Sequence, residues 1–247
     1  MLSHNTSTKL HEMKLHTMSA AFTEQAKDSA FYELSFDERF GLLVDAEWAT
    51  RKNNRLKTLI KNAGYFFNDA CLENVQYRAD RNLNKSMIVR LGTCNYIQEC
   101  HNIIIVGASG SGKTYLSNAF GIAANRHFYA SKYIRASDLL GELAIARSDN
   151  SYHKVIKSYK QAKLLILDDW LLFEPRGNEV HDLLDIVEAR YKRASTIFCS
   201  QFDVGGWHPR IGESTLADAI CDRIAHDSYN IVITGEESMR KCKGLKL

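Results

Sequence analysis

Ile103-Ile104-Ile105-Val106-Gly107-Ala108-Ser109-Gly110-Ser111-Gly112-Lys113-Thr114-Tyr115-Leu116 is the stretch on which the reading of this chain turns. A short apolar run enters a glycine-rich segment, and an apolar-periodic segment begins directly after Thr114. This is the pattern GxxxxGK[ST] with a strand before it and a helix after it, the setting in which it wraps a phosphate. Glycines let backbone N–H groups turn inward around an anion with no Cβ in the way. The helix N-terminus adds partial positive charge. Lys113 reaches the β- and γ-phosphates, and the Thr114 hydroxyl sits on Mg2+. The candidate nucleotide-binding residues are therefore Gly107, Ala108, Ser109, Gly110, Ser111, Gly112, Lys113, Thr114 and Tyr115.

Further on, Leu164-Leu165-Ile166-Leu167-Asp168-Asp169 sets two acids at the end of four apolar residues. Alone, such a pair reads as a turn or a helix cap. Beside a phosphate loop it reads as the second core strand of a nucleotide site, whose terminal acid holds magnesium. Asp168 takes that role, through water, and joins Thr114 as a candidate metal residue. Asp169 is placed to polarise an attacking water as general base. Glutamate is more usual there, and aspartate is one methylene shorter, so slow or partner-dependent hydrolysis is expected. Thr196-Ile197-Phe198-Cys199 ends in Ser200-Gln201. A strand lying between the loop strand and the acidic strand would aim Gln201, or else Ser200, at the γ-phosphate. The start of a surface loop explains the same residues equally well.

The 247 residues suffice for one large or two small domains. Hydrophobic residues make up 45% and charged residues 25%, the balance of a globular chain that can bury a core. No apolar run approaches membrane-spanning length, and Met1–Ser7 carries no apolar signal segment, so no membrane contact and a cytoplasmic location are expected. The six cysteines are scattered with no Cys-x-x-Cys pair. Cys94, Cys100 and His101 could be read as zinc ligands; reduced thiols packed as small apolar groups is the expectation. A net charge of +3 neither demands nor forbids a nucleic-acid partner, so distribution matters more than the sum.

The N-terminal part reads as helical. Leu15, Met18, Phe22 and Ala26 form one stripe within 10–27, predicted as a helix. Ser35-Phe36-Asp37-Glu38 is a capping box, and 39–63 reads as one long helix or two, with Phe40, Leu43, Glu47 and Trp48 on one face. Within it Arg51, Lys52, Arg55, Lys57 and Lys61 stand with no acid between them. Most charge runs are solvated helix faces, yet like charges four apart cost helix stability, and contact with a DNA backbone would offset that cost. These five are candidate DNA contacts. The irregular, polar stretch 66–81 marks the expected boundary, giving a helical N-terminal DNA-binding or oligomerisation domain (1–72) and a nucleotide-binding domain (73–247). After the loop, strand and helix signals alternate, which predicts α/β architecture with a parallel sheet and crossover helices. Ser137 is expected to cap a helix over 138–147, a second helix covers 152–160, and Pro175 and Pro209 are both expected in loops.

Five pieces occur in order: Gly107–Thr114; Arg135-Ala136-Ser137-Asp138-Leu139-Leu140; Leu164–Asp169; Leu216-Ala217-Asp218-Ala219-Ile220-Cys221-Asp222-Arg223-Ile224; and Gly235-Glu236-Glu237-Ser238-Met239-Arg240-Lys241. Together with the segment around Trp48 and 51–64, they resemble the IstB-type transposition helper family. These are AAA+ ATPases close to the DnaC helicase loaders and DnaA initiators. The resemblance spans nearly the whole chain and implies an AAA+ phosphate-loop core that uses ATP and Mg2+ and lacks a full C-terminal lid. It implies that Arg223 is an arginine finger reaching a neighbouring subunit's ATP, a task suited to a permanently charged, planar fork. Arg240 matches the sensor-two arginine and Gln201 the sensor-one position. With Lys113 and Asp169 these make up the candidate catalytic set. The segment 137–160 resembles the extra helix of the initiator and loader clade, which makes Arg147, Lys154 and Lys157 further candidate DNA contacts; a solvated lysine face explains them as well. One extra Glu in Gly235-Glu236-Glu237-Ser238 departs from the family string and could shift Arg240. The resemblance implies an ATPase that forms a homo-oligomer on duplex DNA with ATP at subunit interfaces, bends that DNA and stimulates a transposase. The alternative is a DnaC-like replicative helicase loader acting on single-stranded DNA; a small-molecule phosphotransferase would leave Arg223 unexplained.

Overall fold

The computed structural model describes residues 2–212, 214–235 and 239. The chain divides into two compact units, Met1–Thr58 and Leu59–Leu247.

The first unit is helical. Helices α1 (Leu2–Glu12) and α2 (His16–Gln25) replace the single helix expected over 10–27. Lys14 adopts a left-handed φ of 60°. Its N–H donates to the His11 carbonyl, and that of Leu15 to the Leu10 carbonyl, at 2.9 and 2.8 Å. This is a Schellman stop, usually made by glycine; a lysine in that role leaves no visible punctuation. The capping box forms as expected at α3 (Phe36–Ala63). The Ser35 N–H and Oγ both reach Glu38 Oε2, at 2.8 and 2.7 Å, and the Glu38 N–H returns to Ser35 Oγ at 3.3 Å. The inward face of α3 carries Leu43 and Glu47, while Phe40 and Trp48 are exposed, so the expected four-residue face is split. Glu47 is inward because it has partners. Its Oε2 accepts the Met18 N–H at 3.0 Å, and Arg51 Nε donates to Oε1 at 2.7 Å.

The second unit is built on a sheet in the order β2-β3-β4-β1-β5, parallel throughout. After the end of α3 and the segment 66–81 it continues with α4 (Lys85–Gly92) and the short α5 (Asn95–Gln98), followed by β1 (Asn102–Gly107) and α6 (Lys113–Arg126). Then come β2 (Ser131–Arg135), α7 (Ala136–Ser148), α8 (Tyr152–Gln161), β3 (Leu164–Asp168), α9 (Asn178–Arg190) and β4 (Ser195–Ser200). The described elements finish with α10 (Val204–Ile211), α11 (Ser214–Ala225) and β5 (Ser228–Ile233). The central strands are apolar on both sides, as parallel strands covered by helices must be. Ile103, Ile105, Ile166 and Ile197 enter a core shared with α6, whereas Ile104, Leu165, Leu167 and Phe198 enter one shared with α7, α9 and α11. Residues 66–81, read from sequence as a boundary, hold two short 3-10 turns. Tyr65, Ala70 and Val75 are buried in the core of this unit, so the segment serves as part of its wall.

Two local expectations change. Helix α7 begins at Ala136, one residue before Ser137, and no side chain caps it. Pro209 lies inside α10, a helix the sequence did not announce. Proline deprives a helix of one N–H and crowds the carbonyl four residues back; here that residue is Gly205, and the helix ends two residues on, at Ile211. Trp207 anchors α10 from within. Its ring lies 6.0 Å from Trp170 and 6.1 Å from Phe198, centroid to centroid, in the second core.

Arg190 ties the end of α8 to the starts of β3 and β4. It is 3% exposed, and its guanidinium donates to the carbonyls of Tyr159 at 2.9 Å, Ala162 at 2.6 Å and Ser195 at 2.5 Å, and to Thr196 Oγ1 at 2.9 Å. No carboxylate is among these partners; the charge is met by carbonyl dipoles, as at a helix C-terminus. Arg190→Met keeps the stem but orphans several buried acceptors, each worth roughly 1–3 kcal/mol. A loss of about 3 kcal/mol or more in urea unfolding is expected, and a loss below about 1 kcal/mol would show that the knot is dispensable.

Candidate functional site

The C-terminal ends of β1, β3 and β4 converge on one cavity of about 590 Å³, the place where open parallel sheets bind ligands. Its lining includes Ser109, Gly110, Gly112, Lys113, Thr114, Tyr115, Asp168, Asp169 and Gln201. Residues distant in sequence are thus brought together as the motif reading expected, with β4 lying between β1 and β3.

The loop's glycines have specific reasons to be there. A Cβ on Gly107 would sit 2.7 Å from the Ile233 carbonyl oxygen, and Gly112 turns into α6 with a φ of 98°. Lys113 opens the helix and is 6% exposed. Its Nζ donates to the carbonyls of Gly107 at 2.7 Å and Ala108 at 3.0 Å. Ser111 Oγ is buried with no hydrogen-bond partner. Asp168, 2% exposed, is fully engaged. Thr114 Oγ1 donates to its Oδ2 at 2.7 Å, the Tyr133 hydroxyl donates to the same oxygen at 2.8 Å, and the Asp169 N–H donates to Oδ1 at 3.0 Å. Burial and the neighbouring Asp168 charge push the Tyr133 phenol well above its ordinary range. Asp169 stands in the left-handed region at φ 53°, and Arg135 Nε approaches its Oδ2 at 4.0 Å. Strain of this kind persists where surrounding structure over-determines it; here Trp170, fully buried next to Asp169, does so. Gln201 faces the cavity, whereas Ser200 faces the core. Ser200 Oγ donates to the Trp170 carbonyl at 3.0 Å and accepts the Trp207 indole N–H at 3.2 Å, so of the two candidates only Gln201 is available.

The other wall comes from residues the motif reading did not single out: Phe66, Phe67, Asp69, Asn74, Val75, Gln76 and Arg81. They are held against α6. The Phe67 N–H donates to Asn118 Oδ1 at 2.9 Å, and the Cys71 N–H to Tyr115 Oη at 3.3 Å. Arg81 clamps the loop from outside, donating to the Ser111 and Gln76 carbonyls, each at 2.8 Å. Burial lowers its pKa from the usual guanidinium value.

The remaining candidates lie elsewhere. Arg223, on α11, does not line the cavity; it donates to the Ala219 carbonyl at 2.9 Å and to Glu188 Oε1 at 2.8 Å. Arg240 lies outside the described residues. Arg51 is held by Glu47 and by the Lys14 carbonyl at 2.9 Å, and Lys52 lies 4.1 Å over the Trp48 ring. Arg55, Lys57 and Lys61 are exposed on α3, as are Lys154 and Lys157 on α8. Arg147 pairs with Asp182 at 2.5 Å. Its partner is 2% exposed, so drawing the guanidinium away would leave a buried carboxylate with the Tyr152 hydroxyl but no countercharge. The sequence pattern showed the charge of Arg147 but not this counterion. Among the described residues no helix is long and apolar enough to cross a membrane.

A phosphate loop, a strand-terminal acid pair and a polar strand end, on a parallel sheet ordered 2-3-4-1-5, define a phosphate-loop nucleotide-binding protein of the AAA+ class. The chain belongs to the IstB-like ATP binding protein family, whose model matches residues 8–246. It is 39% identical over 241 residues to an insertion sequence ATP-binding protein of Sinorhizobium fredii, covering 97% of this chain and 98% of that one. It is 38% identical over 201 residues to an insertion sequence ATP-binding protein of Pseudomonas fluorescens, covering 81% and 87%. Among solved structures, AMPPCP-bound DnaA from Aquifex aeolicus superposes with a TM-score of 0.58 at 22% identity, over 70% of this chain and 52% of that one. The DnaC helicase loader superposes with a TM-score of 0.56 at 19% identity, over 67% and 97%. At these identities the two structures share the fold.

Proposed function

We propose that this chain is an ATP-dependent assembly factor of an insertion sequence, which oligomerises on duplex DNA and stimulates a partner transposase. The observation that carries the reading is an incomplete convergence. Lys113, Thr114, Asp168, Asp169 and Gln201 meet in one cavity, while Arg223, matching the family's arginine finger, is held outside it by Glu188. A neighbouring subunit's Arg223 would complete each site. ATP would place its phosphates on the loop and its base against the wall of Phe66, Phe67 and Val75. Thr114 and Asp168 present hard oxygen donors of the kind Mg2+ takes; bound there, the ion would neutralise phosphate charge. Lys113 would exchange its two carbonyl partners for phosphate oxygens. Asp169 would hold the attacking water, and Gln201 would read the γ-phosphate.

DNA contact is assigned to Lys52, Arg55, Lys57 and Lys61 on α3 and to Lys154 and Lys157 on α8. Arg51 and Arg147 are bound within the fold and become secondary candidates. Contacts to phosphate carry no sequence information, so binding should be largely sequence-independent and fall steeply with salt. The cost of bending the duplex would be offset by the added contacts. The relatives at 38% and 39% identity are insertion-sequence proteins, whereas the likeness to the DnaC helicase loader reaches only the fold. That favours a transposase over a helicase as the partner.

The test is ATP hydrolysis with and without long duplex DNA, across a salt series. Hydrolysis is expected to be slow alone, to rise severalfold with duplex DNA, and to lose that rise as salt increases. A rate indifferent to DNA at every salt concentration would refute the reading.

A further inference from the structure

Tyr133 belongs to none of the motifs above. It stands in the middle of β2, paired in register with Ile166 of β3, and its hydroxyl reaches Asp168 Oδ2 at 2.8 Å. An aspartate's terminal torsion is soft and roughly two-fold. A carboxylate at the end of a strand therefore needs outside donors to keep one orientation. Asp168 has three: the Thr114 hydroxyl and the Tyr133 phenol on Oδ2, and the Asp169 N–H on Oδ1. The Thr114 hydroxyl would itself be drawn to a bound cation, and the Asp169 N–H belongs to a residue with strained backbone. The phenol differs from both, since its ring packs against the core and it sits on a regular strand.

We propose that Tyr133 is the positioning residue for the Mg2+ site: its hydroxyl fixes the Asp168 carboxylate in the orientation in which Thr114 meets it. This rests on the reading that Thr114 and Asp168 hold the ion of an ATP–Mg2+ pair. Tyr133 is not a ligand in this account. It donates a proton to Oδ2, whose other lone pair is the one that now accepts the Thr114 hydroxyl, and it spares that carboxylate the cost of being ordered when the ion arrives. Partners that orient metal-holding groups typically contribute 10–100-fold to metal affinity. A hydroxyl acting on a carboxylate that works through water belongs at the low end, about tenfold.

The experiment is anisotropy of a fluorescent ATP analogue on the full chain, first in EDTA and then across a MgCl2 titration. For Tyr133→Phe, affinity in EDTA should equal that of the wild type, while the MgCl2 midpoint should rise about tenfold. Phenylalanine keeps the ring and its packing. Tyr133→Leu, which should give the same shift, serves if the Phe variant fails a circular-dichroism check of folding. A wild-type midpoint in either folded variant overturns the proposal, as does an equal loss of affinity with and without Mg2+. Asp168→Asn separates the role of Tyr133 from the assignment of the ion to Asp168. If it raises the midpoint and Tyr133→Phe does not, only the role of Tyr133 fails; if it too leaves the midpoint unmoved, the assignment of the ion to Asp168 fails.

Discussion

Arg223→Ala should leave ATP binding within a few-fold of wild type and lower DNA-stimulated hydrolysis by about 10³-fold or more, the range an arginine finger supplies. The binding half follows from placement, because Arg223 is absent from the residues around the cavity. The fold should tolerate the change. The side chains of Arg223 and Glu188 are 30% and 47% exposed, and ion pairs so open to solvent contribute less than about 1 kcal/mol. The weakness of that pair suits the proposed role, since a finger must leave its resting partner to reach a neighbour's γ-phosphate. Single-turnover hydrolysis on long duplex DNA checks the prediction. A rate within about threefold of wild type, against the 10³-fold or more expected of a finger, would mean that Arg223 is a surface residue held by Glu188 and nothing more.

Lys113→Ala should act one step earlier. In this structure Nζ holds two loop carbonyls, at 2.7 and 3.0 Å, and these are the groups it would release to phosphate. Charge-assisted bonds contribute roughly 1.5–3 kcal/mol each, so losing two should weaken ATP binding by about 100-fold or more. Assembly should fail with it, which sedimentation in ATP would report as one slow species. A sedimentation profile identical to wild type in ATP would contradict the account of the loop.

What the sequence disclosed and what it withheld divide along a physical line. Gly107–Thr114, Asp168, Asp169 and Gln201 were legible because each follows or ends an apolar strand of a parallel sheet. The period of the chain alone says where such ends fall. The sheet order adds that they meet. Tyr133, Arg81, Phe66 and Phe67 were not legible. Nothing local distinguishes a tyrosine in mid-strand, and its value comes from a neighbour 35 residues away. Arg147 shows the converse: its charge was plain in the sequence, but its buried partner Asp182 lies 35 residues on. Lys14 and Pro209 mislead for a third reason, because each stands where a different residue is usual. The helix stop at Lys14 and the helix at Pro209 depend on neighbours that accept the strain.

If ATP joins subunits of this chain on duplex DNA, sedimentation velocity with long duplex DNA should distinguish ATP–Mg2+ from ADP–Mg2+ and from the absence of nucleotide. A fast-sedimenting protein–DNA species is expected in ATP alone, absent in ADP and absent for Arg223→Ala. The same species in all three conditions, or none in any, would contradict ATP-dependent joining.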